Sequence, residues 1–481
     1  MKVLLVQPPQ FGKPGFTKVA LVEPLGLEMV GGALRNEHEV RIHDMRVDGD
    51  FAGAVRSFKP DAVGISCSFT IDVYRSRKIA GQAKDCGAPF VFVGGLHASL
   101  NPADFNDPAI DCVVIGEGEF TSLELMNTLR DGADLNGVQG LAINTPEGQH
   151  STGRRPPIAK MDDLPLPARD LLPAGRRHRY FFNFWKPLAT LETARGCPHR
   201  CNFCSVWAFF EGRCRTKSPE RVVDELGRLK EKYVFITDDN FLLNVKRASK
   251  IADLIQSRHI RKTYTFQARS DTIVKHPEII SQWRKIGLKH IFIGFESIDQ
   301  EELKAVNKRN SVETNEAALE IIHKHHNISV TGAFIVNPQY GHREFEQLRK
   351  YVSAHGINVP QFSVLTPLPG TDLFREIESK ITNKNYELYD FLHSVVETKL
   401  DAAEFYKELA ELYRSAYINS GVVVKRALPL IVGLATRRLT LNHMRLIVKS
   451  AREFADARNY LKPLGAVSTL KPTSNPGKAG S

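Results

Sequence analysis

Three cysteines within eight residues, Cys197, Cys201 and Cys204, place the strongest demand on how this chain folds. They stand in Ala194-Arg195-Gly196-Cys197-Pro198-His199-Arg200-Cys201-Asn202-Phe203-Cys204, spaced C-x3-C-x2-C, and the 481 residues hold only seven cysteines in all. The surrounding fold must bring three sulfurs onto one loop. Iron–sulfur clusters take Cys thiolates, normally four. Three can hold three irons of a four-iron cluster and leave the fourth iron open to a small molecule. Three buried thiols could instead act as small apolar side chains, but such crowding is improbable by chance. A structural zinc usually needs a fourth Cys or His; His199 lies in the loop, yet no second ligand pair follows. An odd, clustered cysteine count also argues against a disulfide framework and for a reducing, cytoplasmic compartment.

The spacing, with Phe203 before the last cysteine, resembles the radical S-adenosylmethionine (SAM) superfamily. The resemblance implies a [4Fe-4S] cluster on Cys197, Cys201 and Cys204, whose open iron binds the amino and carboxylate groups of SAM. Electron transfer then yields methionine and a 5′-deoxyadenosyl radical, with Phe203 beside the adenine.

A chain of this length predicts two to four domains. Hydrophobic content of 42% and charged content of 25% are those of a soluble globular protein. No apolar run approaches the roughly 20 residues that span a bilayer, and the amino terminus lacks a signal-peptide pattern. Over residues 1–145, apolar runs at 2–6, 39–43, 62–66, 90–93 and 112–115 alternate with helical patterns at 26–36, 51–58 and 74–86. That alternation predicts an α/β domain with a doubly wound parallel sheet, in which ligands bind beyond the strand C-termini. The ends there are small and polar: Ser66, Ser68 and Thr70; Gly94, Gly95 and His97; Gly116 and Glu117. Together with Pro24-Leu25-Gly26-Leu27-Glu28 they resemble a Rossmann-like cobalamin-binding (B12-binding) domain, which implies cobalamin contacts at those eight residues. The mutases and methionine synthases of that kind carry a histidine cobalt ligand after the first strand. Here no histidine precedes His38, so cobalamin is expected without one.

Residues 146–186 are rich in proline and basic side chains and are expected to be a surface linker. Its aromatic end, residues 180–185, is expected to pack against the next domain. From 187 to 375, strand-like runs at 188–193, 234–237, 264–267, 290–294, 329–336 and 361–366 each precede a loop and a helical stretch. Six such units predict a partial (β/α)6 barrel with its function at the strand C-termini. The cysteines follow the first strand; Asp239, Gln267, Arg269 and Glu296 follow later ones. SAM needs acceptors for its amino group and ribose, for which Asp239 and Glu296 suit, and a donor for its carboxylate, for which Arg269 suits.

Residues 376–463 read as a C-terminal helical region and 464–481 as a disordered tail. Asp390 and His393 could share a helix face. Residues 421–462 hold nine Lys/Arg against two Asp/Glu, interleaved with apolar runs, as at the surface of an anionic membrane. No nucleic-acid motif is present. The chain as a whole resembles the cobalamin-dependent radical SAM methyltransferases, and among them the hopanoid C-3 methylases, through "EPLGLE", "LATLETARGCPHRCNFCSVW" and "TDDNF". The resemblance implies that one SAM methylates Co(I) and a second yields the radical that abstracts hydrogen from an unactivated carbon. That carbon then takes methyl from methylcobalamin. It also implies an apolar or lipid substrate, a flavodoxin, ferredoxin or reductase as electron donor, and a cytoplasmic enzyme peripheral to the inner membrane. The rival reading is an oxidative cyclase resembling the anaerobic magnesium-protoporphyrin ester cyclases, or a methylase of another natural product.

Overall fold

A computed structural model describes residues 1–9, 19–173, 175–183, 185–357, 359–418 and 441–461. In the amino-terminal unit, β1 (Lys2–Gln7) lies second from the edge of a sheet with β2 (Glu39–Asp44), β3 (Ala62–Ser66), β4 (Phe90–Gly94) and β5 (Cys112–Val114). These five are parallel, ordered β2-β1-β3-β4-β5. Both faces are buried, as parallel sheets require. Leu4 and Val6 pack to one side, Val3 and Leu5 to the other. Helices α1 (Leu25–Leu34), α2 (Phe51–Phe58), α3 (Val73–Asp85), α4 (Leu96–Leu100) and α5 (Gly118–Arg130) join the strands.

The sheet does not stop at residue 145. An antiparallel hairpin, β6 (Leu141–Thr145) and β7 (Gly148–Ser151), extends its edge. The stretch after it is less superficial than its proline and arginine content suggests. Met161 and Leu164 are buried against Met29, and Tyr180 is fully buried with its hydroxyl donating to Asp44 at 2.9 Å. Arg169 lies among Glu23, Glu28 and Glu225 and also donates to the Thr190 carbonyl at 2.7 Å. The two glutamates of "EPLGLE" are therefore ion-pair partners inside the molecule.

The second unit is an open barrel of six parallel strands in sequence order: β8 (Leu188–Leu191), β9 (Tyr233–Ile236), β10 (Thr263–Gln267), β11 (Leu288–Glu296), β12 (Ser329–Val336) and β13 (Val359–Val364). Alternate residues such as Val234, Ile236, Phe334, Phe362 and Val364 join one large apolar core. Around it stand α6 (Ser205–Phe210), α7 (Pro219–Arg228), α8 (Val245–Ser257), α9 (Ser270–Lys275), α10 (Glu278–Ile286), α11 (Gln300–Ala305), α12 (Val312–His323), α13 (His342–Ala354) and α14 (Asp372–Ile377). Ser218 caps α7 by accepting from the Arg221 amide, with Pro219 at its first position. Phe182 packs against Phe235 and His290, and Trp185 stacks on Tyr233, so the aromatic segment packs on the barrel as expected.

Helices α15 (Ala402–Tyr417) and α16 (Leu441–Phe454) close the carboxyl-terminal side. Asp390 and His393 do not share a helix; they form a buried turn, with His393 bonding Asp390 at 2.9 Å and the Tyr460 carbonyl at 3.1 Å. The expected tail, and residues 419–440 of the basic-apolar stretch, lie outside the described residues.

Candidate active site

The cysteine loop leaves β8 through Glu192, Thr193 and a two-residue ribbon, Ala194–Arg195, paired antiparallel with Arg215–Thr216. Gly196 then takes φ +87°, and a Cβ there would lie 2.1 Å from the Arg213 carbonyl oxygen. Only glycine allows that approach. Cys197, Cys201 and Cys204 follow as free thiols. Among the described residues, no three Cys, His, Asp or Glu side chains converge closely enough to hold a single metal ion. The loop offers its three sulfurs with amide donors: His199 N–H towards Cys197, and Val206 and Trp207 N–H towards Cys204. Such donors suit thiolates that bridge to a cluster. Burial pushes all three thiols up, Cys204 to about 12, so iron must displace protons on binding. Three sulfurs with amide donors on one loop fit a cluster with one open iron.

Asp239, after β9, lies beside this loop. Although the residue is exposed on the surface of the loop, the surrounding protein desolvates its carboxyl and raises it to about 6, while the Gly196 amide opposes the shift. Its neighbour Asp238 is differently engaged, accepting from the amides of Thr193 and Ala194 at 2.6 and 3.0 Å. Gln267 ends β10, half-buried. Glu296 ends β11 in the left-handed region, φ +64°, after a register shift at Gly294. A side-chain-bearing residue at such φ stores strain, as active sites often do. Its carboxylate folds over Gly294, where a Cβ would meet Oε1 at 2.3 Å, and it accepts from Lys308 Nζ at 2.6 Å. Arg269, expected to bind a carboxylate, is engaged by the protein. It pairs with Asp271 at 3.1 Å and donates to the carbonyls of Lys308 and Arg309. Phe203 is half-buried within the loop.

At the sheet ends, Ser66 is half-buried and Ser68 exposed, next to Phe69, whose ring is 52% exposed. Gly94 leads to Gly95 at φ +120°, so close to β3 that a Cβ would lie 2.6 Å from the Cys67 carbonyl oxygen. Gly116, at φ +85°, has nothing within 4 Å of where a Cβ would stand. An exposed aromatic face, an exposed hydroxyl and open space over a glycine fit a broad, largely apolar macrocycle such as a corrin. Thr70 and His97 lie beneath this surface. His97 is 2% exposed, with Thr70 Oγ1 3.0 Å from Nδ1 and Asp104 Oδ2 3.0 Å from Nε2. Glu117 is committed elsewhere: it accepts from Arg195 at 2.7 Å and from Arg215 at 2.6 Å.

The two sets of strand ends adjoin. Helix α4, after Gly95, packs against α6, after Cys204. Asn101 donates to the Pro369 carbonyl at 3.1 Å, and Gly370 abuts Leu100. Sequence reasoning missed Arg195, Lys308 and Phe69. Arg195 was detectable as the residue before the glycine that precedes Cys197; nothing local marks Lys308 as the partner of a glutamate twelve residues away.

Two family models match the chain: the radical SAM superfamily over residues 191–352 and the B12 binding domain over residues 17–126. The chain is 35% identical over 433 residues to a hopanoid C-3 methylase of Methylococcus capsulatus, covering 87% of this chain and 80% of the relative. It is 28% identical to an anaerobic magnesium-protoporphyrin IX monomethyl ester cyclase of Rubrivivax gelatinosus, covering 76% of this chain and 67% of the relative. Its fold is similar to that of the cobalamin-dependent SAM radical enzyme OxsB, solved with aqua-cobalamin and SAM bound. The TM-score is 0.69 at 17% identity, over 95% of this chain and 77% of that one. A cluster of the [4Fe-4S] kind, SAM and cobalamin are accordingly its cofactors, and the chain belongs to the cobalamin-dependent radical SAM methyltransferases.

Proposed function

We propose that the protein methylates an unactivated carbon of an apolar substrate, a hopanoid lipid at C-3 being the reading that its 35%-identical relative favours. The observation that carries the proposal is the meeting of two strand-end crevices, where α4 packs on α6. A substrate held there lies between a corrin at one mouth and a cluster at the other. When bound, the cofactors supply reductive cleavage of SAM and a transferable methyl group. The chain's own residues hold and orient. Cys197, Cys201 and Cys204 ligate the cluster, and Phe203 lies beside the adenine. Asp239 and Glu296 accept from the amino group and ribose of SAM, with Gln267 as a further polar contact. Lys308 and Arg269 keep Glu296 and the 308–309 loop in place. Ser66, Ser68, Gly94, Gly95 and Gly116 form the corrin surface, backed by Thr70 and His97. Phe292, Ala333 and Ile335, half-buried on the strand face opposite the core, offer an apolar interior for the substrate.

The electron comes from a flavodoxin- or ferredoxin-type donor. An open cleft of about 640 Å³ backs the cysteine loop, lined by Arg200, Arg309 and Arg375 together with Asp372 and Glu376; Arg200 and Arg375 both pair with Asp372, which leaves Arg309 as the cation there for an acidic partner. Helix α16 exposes Val448, 46% accessible, between Arg445, Lys449 and Arg452, a composition suited to an anionic membrane surface. Among the described residues no helix is long and apolar enough to cross one. Methyl-labelled SAM tests the reaction: label in the product supports methyl transfer, whereas 5′-deoxyadenosine formed with unlabelled product would overturn it in favour of oxidation. Lipid mass spectrometry of a hopanoid-producing host with and without the protein tests the substrate. The mass increment of one methylene on hopanoids is expected, and an unchanged profile removes the lipid.

A further inference from the structure

We infer that Arg195 is a positioning residue that ties the cobalamin-side loops to the cluster loop, so that filling one restrains the other. The inference rests on the proposed cofactor sites. Arg195 stands two residues before Cys197, and the intervening Gly196 is wedged against the Arg213 backbone, so little slack separates them. Its guanidinium is 9% exposed and reaches three carboxylates: Glu117 at 2.7 Å, Glu119 at 2.5 Å and Glu192 at 2.8 Å. Two of these belong to the opposite unit, at the start of α5. Glu117 also takes Arg215, from the strand paired with Arg195, at 2.6 Å, and the Ile158 amide at 2.8 Å.

From Glu117 the connection continues into the corrin surface. Gly116, next in sequence, donates its amide to Ser99 Oγ at 2.9 Å, and Ser99 Oγ donates to the Gly95 carbonyl at 2.7 Å. An unbroken run of short bonds thus joins the Gly95 loop to the Gly116 loop, then to Arg195 and Cys197. Burying several charges together is costly unless geometry is tight. Here they gather where two cofactor loops meet. A ligand that orders Gly95 and Gly116 therefore holds Cys197 as well.

The test is release of iron from cluster-loaded protein to the ferrous chelator bathophenanthroline, with and without bound hydroxocobalamin. In the parent, cobalamin should slow release by about fivefold or more, a usual size for coupling between sites. In Arg195→Gln the two rates should coincide. Glu119→Gln removes one of the three partners and should give an intermediate ratio, which keeps the test readable if Arg195→Gln loads its cluster poorly. A purely structural arginine would lower the melting temperature of both variants and leave the ratio at the parent's value. That result, or a parent whose release ignores bound cobalamin, overturns the inference. Failure of the parent to retain cobalamin through gel filtration would overturn the proposed corrin surface itself, and the coupling with it.

Discussion

At the barrel mouth the groups aimed at the site are reactive side chains; at the sheet ends they are glycines, hydroxyls and one exposed ring. The cysteine loop spends three thiols on one function, and no thiol is in a disulfide. The charged and imidazole groups of the sheet ends, by contrast, are mostly engaged by the protein: His97 by Thr70 and Asp104, Glu117 by two arginines. A cluster is held by bonds to particular atoms, whereas a corrin is held mainly by shape. The first kind of site tolerates backbone adjustment but not ligand loss. The second tolerates side-chain changes but not a filled cradle.

The largest effect that separates them is Cys201→Ala. The variant should lose the broad brown absorbance of the reconstituted cluster and all SAM cleavage, while hydroxocobalamin binding weakens only by the roughly fivefold coupling carried through Arg195. Retained SAM cleavage would remove the cluster from the mechanism. Loss of cobalamin as well would show that the two mouths are not separable.

Gly95→Ala makes the reverse cut. Its Cβ would press on the Cys67 backbone at φ +120°, and strain of this kind costs about 1–3 kcal/mol. The corrin surface should distort, and the Kd for hydroxocobalamin should rise about tenfold, equivalent to about 1.4 kcal/mol. Iron content of the reconstituted protein should be unchanged. Unaltered cobalamin affinity would move the corrin away from this loop.

The same contrast explains what the sequence disclosed. Cysteine spacing is a local pattern, so the cluster loop was legible before any fold, as was the parallel β/α alternation that places it after β8. The sheet-end loops were legible as places but not as contacts. Whether His97 meets a ligand or Asp104 depends on a residue seven positions on that folds back beneath it. Arg269 suited a carboxylate by charge alone; that Asp271 and the 308–309 carbonyls engage its Nε and Nη2 could not be read from the sequence. The 146–186 stretch looked superficial because prolines and arginines dominate it. Among its apolar residues, Met161, Leu164, Ala168, Leu172, Tyr180 and Phe181 face inward.

The smallest predicted effect probes the polar layer under the proposed corrin surface. Asp72, 3% exposed at the start of α3, has its carboxyl raised from 3.8 to about 6 by burial, against the pull of Arg75 at 3.0 Å. The folded chain therefore keeps a proton that the unfolded chain has released. Stability falls as pH rises from about 4 through about 6, and ionising Asp72 costs the fold about 2–3 kcal/mol above that window. Asp72→Asn carries no such proton. Measured by urea unfolding, the variant's stability relative to the parent should shift in its favour by about that amount between pH 4 and pH 7. Equal differences at the two pH values would mean that Asp72 ionises without cost, with Arg75 compensating its burial in full. The layer beneath the proposed corrin surface would then be a settled ion pair, no less tightly satisfied than the Glu117 clasp at the same sheet ends.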